Sequence, residues 1–295
     1  MKQVKATFEA SKRVYESVLL TFKGVEGYDV LLRGKALHLR PRRETRGLGR
    51  MSLRWYRSLA GSWRTHTSKM GEMIFGGTHV RKNGNCILSY YGYFYRGTPV
   101  DLSYFTAGPD YMKDIRVVSL QDGRIGVFSR PRVGRKASIG FVILNSISEL
   151  RAEVIAKAPA LDILSENAWG GVNQAYLLSS GKVGCVGHYS YEDKNDKQQP
   201  QNVYVNYSFV LDPQSRAIAD GKIIGTKGCY PPCEPKVPLL ADCVFTSGIV
   251  MRGDGKVDLY SGVGDSHEGR IVIDYPFEGH GSIVGDFNFS MTSSL

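Results

Sequence analysis

Three stretches decide the fold: Gln121-Asp-Gly-Arg-Ile-Gly-Val-Phe-Ser-Arg130, Ser179-Ser-Gly-Lys-Val-Gly-Cys-Val-Gly-His188 and Gly253-Asp-Gly-Lys-Val-Asp-Leu-Tyr-Ser-Gly262. Each has Gly in third place, a polar residue after it, and then an apolar strand ending in small or polar residues. Lys82-Asn-Gly-Asn-Cys-Ile-Leu-Ser-Tyr-Tyr91 follows the same pattern. Asn-Gly, Asp-Gly and Ser-Gly are turn signals, because Gly takes a positive φ at little steric cost. An apolar strand precedes each unit (74–80, 115–120, 172–178, 244–251), and further strands follow at 139–144, 203–211 and 270–275. Repeated strand units between tight turns are the signature of a β-propeller. Gly84, Gly123, Gly181 and Gly255 lie 39, 58 and 74 residues apart, and dividing the 295 residues by that mean spacing predicts five blades. A β-sandwich would not explain why the same polar positions recur at the start of one strand and the end of the next.

The expectation is therefore an all-β chain, a single five-bladed β-propeller domain over 1–295. Residues 1–72 form a diverged basic first-blade region, 73–277 the well-patterned blades and 278–295 a tail. One short helix is expected around 148–157. Composition agrees: 34 Gly and 29 Tyr plus Phe favour short strands and tight turns, and 42% hydrophobic with 22% charged residues excludes wholesale disorder. Apolar stretches fall far short of the roughly 20 residues of a membrane-spanning helix, and the polar N-terminus holds no signal-peptide core. Cys86, Cys185, Cys229, Cys233 and Cys243 show no zinc spacing and read as thiols, so neither metal nor cofactor is expected. The default compartment is the cytoplasm, with Ser293-Ser294-Leu295 as a weak peroxisome-type alternative.

The net charge of +10 is concentrated between Arg33 and Arg64, where ten basic residues face only Glu44. Clustered Arg with Trp55, Tyr56 and Trp63 has the chemistry to grip phosphate and stack bases. No nucleic-acid-binding motif accompanies it, so the reading is a solvated, diverged segment rather than a nucleic-acid interface.

In a propeller the innermost strands end around one opening, where polar residues distant in sequence converge. Lys113, Asp114 and Arg116 open one blade and Arg130 closes its hairpin. Trp169 and Asn173 open the next and His188 closes it. Asp242 opens the last blade and Asp265 closes it. Arg130, Lys113 and Arg116 suit phosphate. Asp114 among these cations favours its ionised form, fitting a carboxylate that orients a hydroxyl better than an acid. His188 is a candidate donor or proton carrier near neutral pH.

Met112-Lys-Asp-Ile-Arg116, Gly123-Arg-Ile-Gly-Val-Phe-Ser-Arg-Pro131, Trp169-Gly-Gly-Val-Asn173, Val186-Gly-His188, Asp242-Cys-Val-Phe-Thr-Ser-Gly248 and Leu259-Tyr-Ser-Gly-Val-Gly-Asp265 occur in this order. Together they resemble the five-bladed propellers that include the β-1,2-mannan mannosyltransferase/phosphorylases of glycosyltransferase family 108, distantly related to the mannoside phosphorylases of glycoside hydrolase family 130. The match is good over about residues 108–277. The resemblance implies inverting chemistry on β-mannosides, with phosphate attacking the anomeric carbon or GDP-mannose donating mannose. It implies a sugar-side place for Lys113-Asp114 and sets His188 at the family's matching His; Asp114 is the catalytic candidate, and with the converging blade ends Arg116, Trp169, Asn173, His188, Asp242 and Asp265 are the candidate substrate contacts. It gives phosphate to Arg130 and Lys113. The implied partners are a β-mannoside oligosaccharide and phosphate or GDP-mannose. One departure matters: the related enzymes carry their acid in an Asp-Pro motif where this chain reads Ser62-Trp-Arg-Thr-His-Thr-Ser-Lys-Met-Gly-Glu72, with no Asp. Asp114, Glu72 or a substrate-assisted route would have to supply the proton, or the chain is catalytically impaired. A non-catalytic sugar-binding propeller is the competing function.

Overall fold

The computed structural model describes residues 1–11, 13–20, 28–33, 36–41, 52–54, 73–83, 86–98, 101–133 and 136–284. Most of the Arg-rich stretch, Gly84, the 62–72 segment with Glu72, and Ser293-Ser294-Leu295 lie outside the described residues. The described chain is mostly β, in successive antiparallel sheets.

The chain opens with α1 (Lys2–Ala10) and β1 (Val14–Leu19), then a hairpin of β2 (Tyr28–Arg33) and β3 (Ala36–Pro41). A four-stranded sheet follows: β4 (Ser52–Arg54), β5 (Met73–Asn83), β6 (Cys86–Thr98) and β7 (Asp101–Ala107), paired in that order. The next sheet pairs β8 (Arg116–Ser119) with β9 (Ile125–Ser129), and β9 with β12 (Gly140–Leu144). Between β9 and β12 the short strands β10 (Arg132–Val133) and β11 (Lys136–Ala137) make a side hairpin. The expected helix is α2 (Ala152–Ala156), preceded by one 3-10 turn at Ile147–Glu149.

A second complete sheet holds β13 (Ala168–Leu177), β14 (Val183–Lys194), β15 (Pro200–Leu211) and β16 (Ile218–Gly225) in sequence order. The last sheet runs β17 (Val244–Met251), β18 (Val257–Val263) and β19 (His267–Ile273). Its fourth strand is β1, which pairs antiparallel with β19, so the N-terminal strand completes the C-terminal sheet.

The apolar cores lie between successive sheets. Ile74 and Phe94 of the β4–β7 sheet pack with Ile115, Val117, Ile125 and Val127. Phe128 and Phe141 pack with Val172, Cys185 and Phe209 of the next sheet, and Val186 and Val210 with Val244, Leu259 and Ile271 of the last. This face-to-face stacking explains why β9 is buried along its whole length. Strands covered on both faces read as continuous apolar runs rather than alternating ones.

Gly123, Gly181 and Gly255 turn between the first and second strands of their sheets, with φ of 84°, 81° and 81°. The fourth unit corrects the repeat. Asn83 pairs with Cys86 between the second and third strands of its sheet, because β4 already occupies the first place. The Asn83–Cys86 connection is thus out of phase with the other three, and the sequence spacing of Gly84 does not measure the repeat.

Candidate functional site

The first strands β8, β13 and β17 all begin at the same end of their sheets, and β9 finishes there at Ser129 beside Arg130. The approach to β8 is held tightly. Gly108 donates its N–H to Gly92 O at 2.8 Å, Tyr111 donates to Tyr90 O at 2.6 Å, and Met112 bridges in parallel to Tyr91. A Cβ on Gly92 would lie 2.8 Å from Ile115 Cδ1, so the glycine lets that side chain seat against β6. The loop then turns through Asp114 in the left-handed region, φ 59°, a conformation Asp tolerates better than most residues.

Asp114 is 7% exposed, and its Oδ2 accepts from Arg130 Nη1 at 2.8 Å. Arg130 Nε donates to Gly170 O at 2.9 Å, which ties the β8–β9 hairpin to the first strand of the next sheet. Arg116 makes a second tie, donating from Nε to Asn173 O at 2.6 Å and from Nη1 to Ile115 O at 2.9 Å. Its Nη2 stands 4.0 Å from Asp114 Oδ1. Two arginines thus hold one carboxylate between two sheets, with a surplus of positive charge.

The Trp169-Gly-Gly-Val-Asn173 motif has a steric explanation. A Cβ on Gly171 would sit 3.0 Å from His188 Cε1 and 3.6 Å from Arg130 Cδ, and one on Gly170 would sit 2.7 Å from His188 O. Glycine at both positions lets Arg130 and His188 approach the β13 backbone. Gly187 repeats the device, because any Cβ there would strike Gly171 O.

His188 is 2% exposed, and its Nδ1 lies 2.7 Å from Asn173 Oδ1. An amide oxygen only accepts, so this contact assigns the proton to Nδ1. Nε2 of His188 and Nδ2 of Asn173 are buried polar atoms without a protein partner. Burial pushes the His188 pKa well below its ordinary 6.5; Arg130, Lys113 and Arg116 push the same way, and Asp114 opposes them. The ring is therefore neutral at physiological pH, which suits a hydrogen-bonding group rather than a cation. Desolvation outweighs the single nearby carboxylate.

The walls are aromatic. Tyr204 stacks on His188 at 5.8 Å and 30°, and Phe245 packs against its ring at 4.6 Å. Trp169 Nε1 donates to Tyr204 Oη at 3.1 Å, and the Lys136 ammonium stands 5.3 Å from the Trp169 ring centroid. Tyr204 and Phe245 were not among the sequence candidates. Tyr204 reaches this place through the register of β15 on β14, where it faces Ser190.

The structure brings Asp114, Arg116, Arg130, Asn173 and His188 together, with Trp169 joined through Tyr204 and Lys113 exposed beside Asp114. Asp242 and Asp265 have partners elsewhere at the same end. Asp242 pairs with Lys5 of α1 at 2.9 Å, while its main-chain oxygen accepts from Tyr204 N. Asp265 pairs with exposed Lys236 at 2.6 Å.

Residues 65–279 match the family described as Protein of unknown function (DUF1861). No curated protein sequence matches the chain. Among solved structures it is similar to MPT-4, a mannose phosphorylase from Leishmania mexicana in complex with phosphate ion, at 64% identity and a TM-score of 0.84, covering 99% of this chain and 98% of that one. A hypothetical protein from Leishmania major is 63% identical, with a TM-score of 0.78 and coverage of 96% and 98%. MPT-1, a GDP-Man-dependent mannosyltransferase from Leishmania mexicana, is 40% identical over 98% of each chain, with a TM-score of 0.80. By the family match and by these identities over nearly whole chains, this protein belongs to the DUF1861 family and to the family of the Leishmania mannose phosphorylase and mannosyltransferase.

Proposed function

We propose that the chain acts on β-mannosides as a phosphorylase/mannosyltransferase-type protein built as one five-bladed propeller. Closure of the last sheet by β1 supports the ring, and the likeness to a mannose phosphorylase holding phosphate supports the chemistry. One observation carries the ligand class. The buried pair of His188 Nε2 and Asn173 Nδ2 offers one acceptor and one donor without protein partners. A hydroxyl group both donates and accepts, so a polyol satisfies the two atoms where a purely accepting anion satisfies only one. Beside them three cations, Lys113, Arg116 and Arg130, face the single carboxylate of Asp114, a charge balance suited to phosphate or a nucleotide-sugar diphosphate.

In this reading phosphate attacks the anomeric carbon from one face. The bond to the glycosidic oxygen breaks on the other, and that oxygen takes up a proton. Arg130 and Lys113 hold the attacking phosphate, and Asn173, His188 and Trp169 hold the sugar. Asp114 is committed to Arg130, which suits a positioning carboxylate and not a free acid. With no Asp-Pro acid in 62–72, turnover is expected to be slow, because general-acid help is worth about 10²–10⁴-fold. The second reading, a sugar-binding propeller without turnover, is favoured by that same missing acid. An assay of mannose release from β-1,2-mannobiose with phosphate, and of transfer from GDP-mannose, separates them: slow turnover supports the enzyme, and binding without turnover supports the alternative.

A further inference from the structure

Beyond the Asp114–Arg130 pair, Tyr111 and Arg132 both reach Tyr90 of β6. Arg132 Nη2 donates to Tyr90 Oη at 3.1 Å, and Tyr90 stands edge-on to Tyr111, 5.7 Å between centroids at 86°. Tyr111 has φ 61°, three residues before Asp114 at φ 59°. An aromatic residue in the left-handed region is strained, and such residues gather at ligand clamps. Tyr111 is 55% exposed even though its hydroxyl donates to Leu88 O at 2.6 Å. Exposed Leu88 and Ile87 continue the apolar surface beside it. This strained tyrosine is fixed by Tyr90 and Leu88 while more than half of it stays open to solvent, an aromatic surface placed for a ligand.

Resting on the β-mannoside reading above, we propose that Tyr111, backed by Tyr90 and flanked by Arg132, is an outer saccharide platform that selects chains longer than a disaccharide. Arg132 lies two positions from Arg130 and Tyr111 three positions from Asp114, reaches of at most about 7 and 11 Å. One to two pyranose units span that distance. The C–H face of a pyranose carries slight positive charge and lies on the electron-rich face of an aromatic ring, while Arg132 donates to the hydroxyl rim. A nucleobase would stack equally well on a ring, so the GDP-mannose arm of the test below separates the two.

The test titrates the native chain, Tyr111→Asn and Tyr111→Phe with β-1,2-mannobiose, mannotriose and mannotetraose, with inorganic phosphate and GDP-mannose as separate arms. Asn accepts the left-handed conformation and removes the ring; Tyr111→Gly relaxes the backbone and serves as a second ring deletion. The native chain should bind the longer saccharides about tenfold tighter than the disaccharide, a typical step for one stacked ring. Both ring deletions should abolish that gain and leave mannobiose and phosphate affinity unchanged, while Tyr111→Phe keeps it. A length gain that survives ring deletion overturns the proposal, as does a loss confined to GDP-mannose. A native chain that binds mannobiose without any length gain overturns the platform alone; one that binds no mannoside at any length overturns the function reading as well.

Discussion

At the scale of the residue, His188 shows most clearly what folding does to a side chain. Its pKa is depressed by burial, so below pH 6.5 the unfolded chain takes up a proton that the native chain refuses. Stability is therefore fully present above that value and falls as pH drops, by up to about 1.4 kcal/mol per pH unit from this group. Chemical denaturation at pH 7.5, 6.5 and 5.5 should show the loss, and His188→Gln should flatten this part of the pH dependence. An identical slope in the variant would assign the effect to other groups. Arg130 is the companion case. Arg130→Ala leaves the buried Asp114 carboxylate without its 2.8 Å partner and should weaken phosphate binding by on the order of 2–5 kcal/mol. Unchanged affinity by calorimetry would make Arg130 structural. The sequence supplied residue types but not their partners. Asp114, Arg130 and His188 stood out because they are polar at repeated places. Their mutual distances depend on sheet packing that no local pattern encodes.

At the scale of the element, the glycines of β13 and β14 do the positioning. Gly187→Ala would drive a methyl into Gly171 O, and because backbone blocks backbone there, relief requires prising the strands apart. A loss of about 3 kcal/mol or more is expected in denaturant unfolding; a change under about 1 kcal/mol would show that the strands slide freely. The strands were legible where turn and apolar run coincide, as at Gly123, Gly181 and Gly255. Gly84 misled because an Asn-Gly turn signals a hairpin without saying which two strands of a sheet it joins. Tyr204 was illegible for a related reason: its place beside His188 follows from the register of β14 on β15, which is fixed by long-range pairing.

At the scale of the whole molecule, β1 pairs with β19 and completes the last sheet, the strand exchange that the proposed ring requires. The pairing is reinforced by Arg270 to Glu16 at 3.0 Å and by Tyr15 Oη to Asp274 at 2.8 Å. Removing residues 1–20 should open the β19 edge and lower the melting temperature by about 10 °C or more, with aggregation on heating. A truncated chain as stable as the native one would contradict a closed ring. The central claim, a sugar-and-phosphate site built on Asp114, Arg130, Asn173 and His188, is tested most directly by calorimetric titration of β-1,2-mannobiose into the native chain in phosphate buffer, repeated with Arg130→Ala. The native chain should show saturable binding, weakened by the substitution; a native chain showing no heat of mannoside binding at any phosphate concentration would contradict a sugar site there.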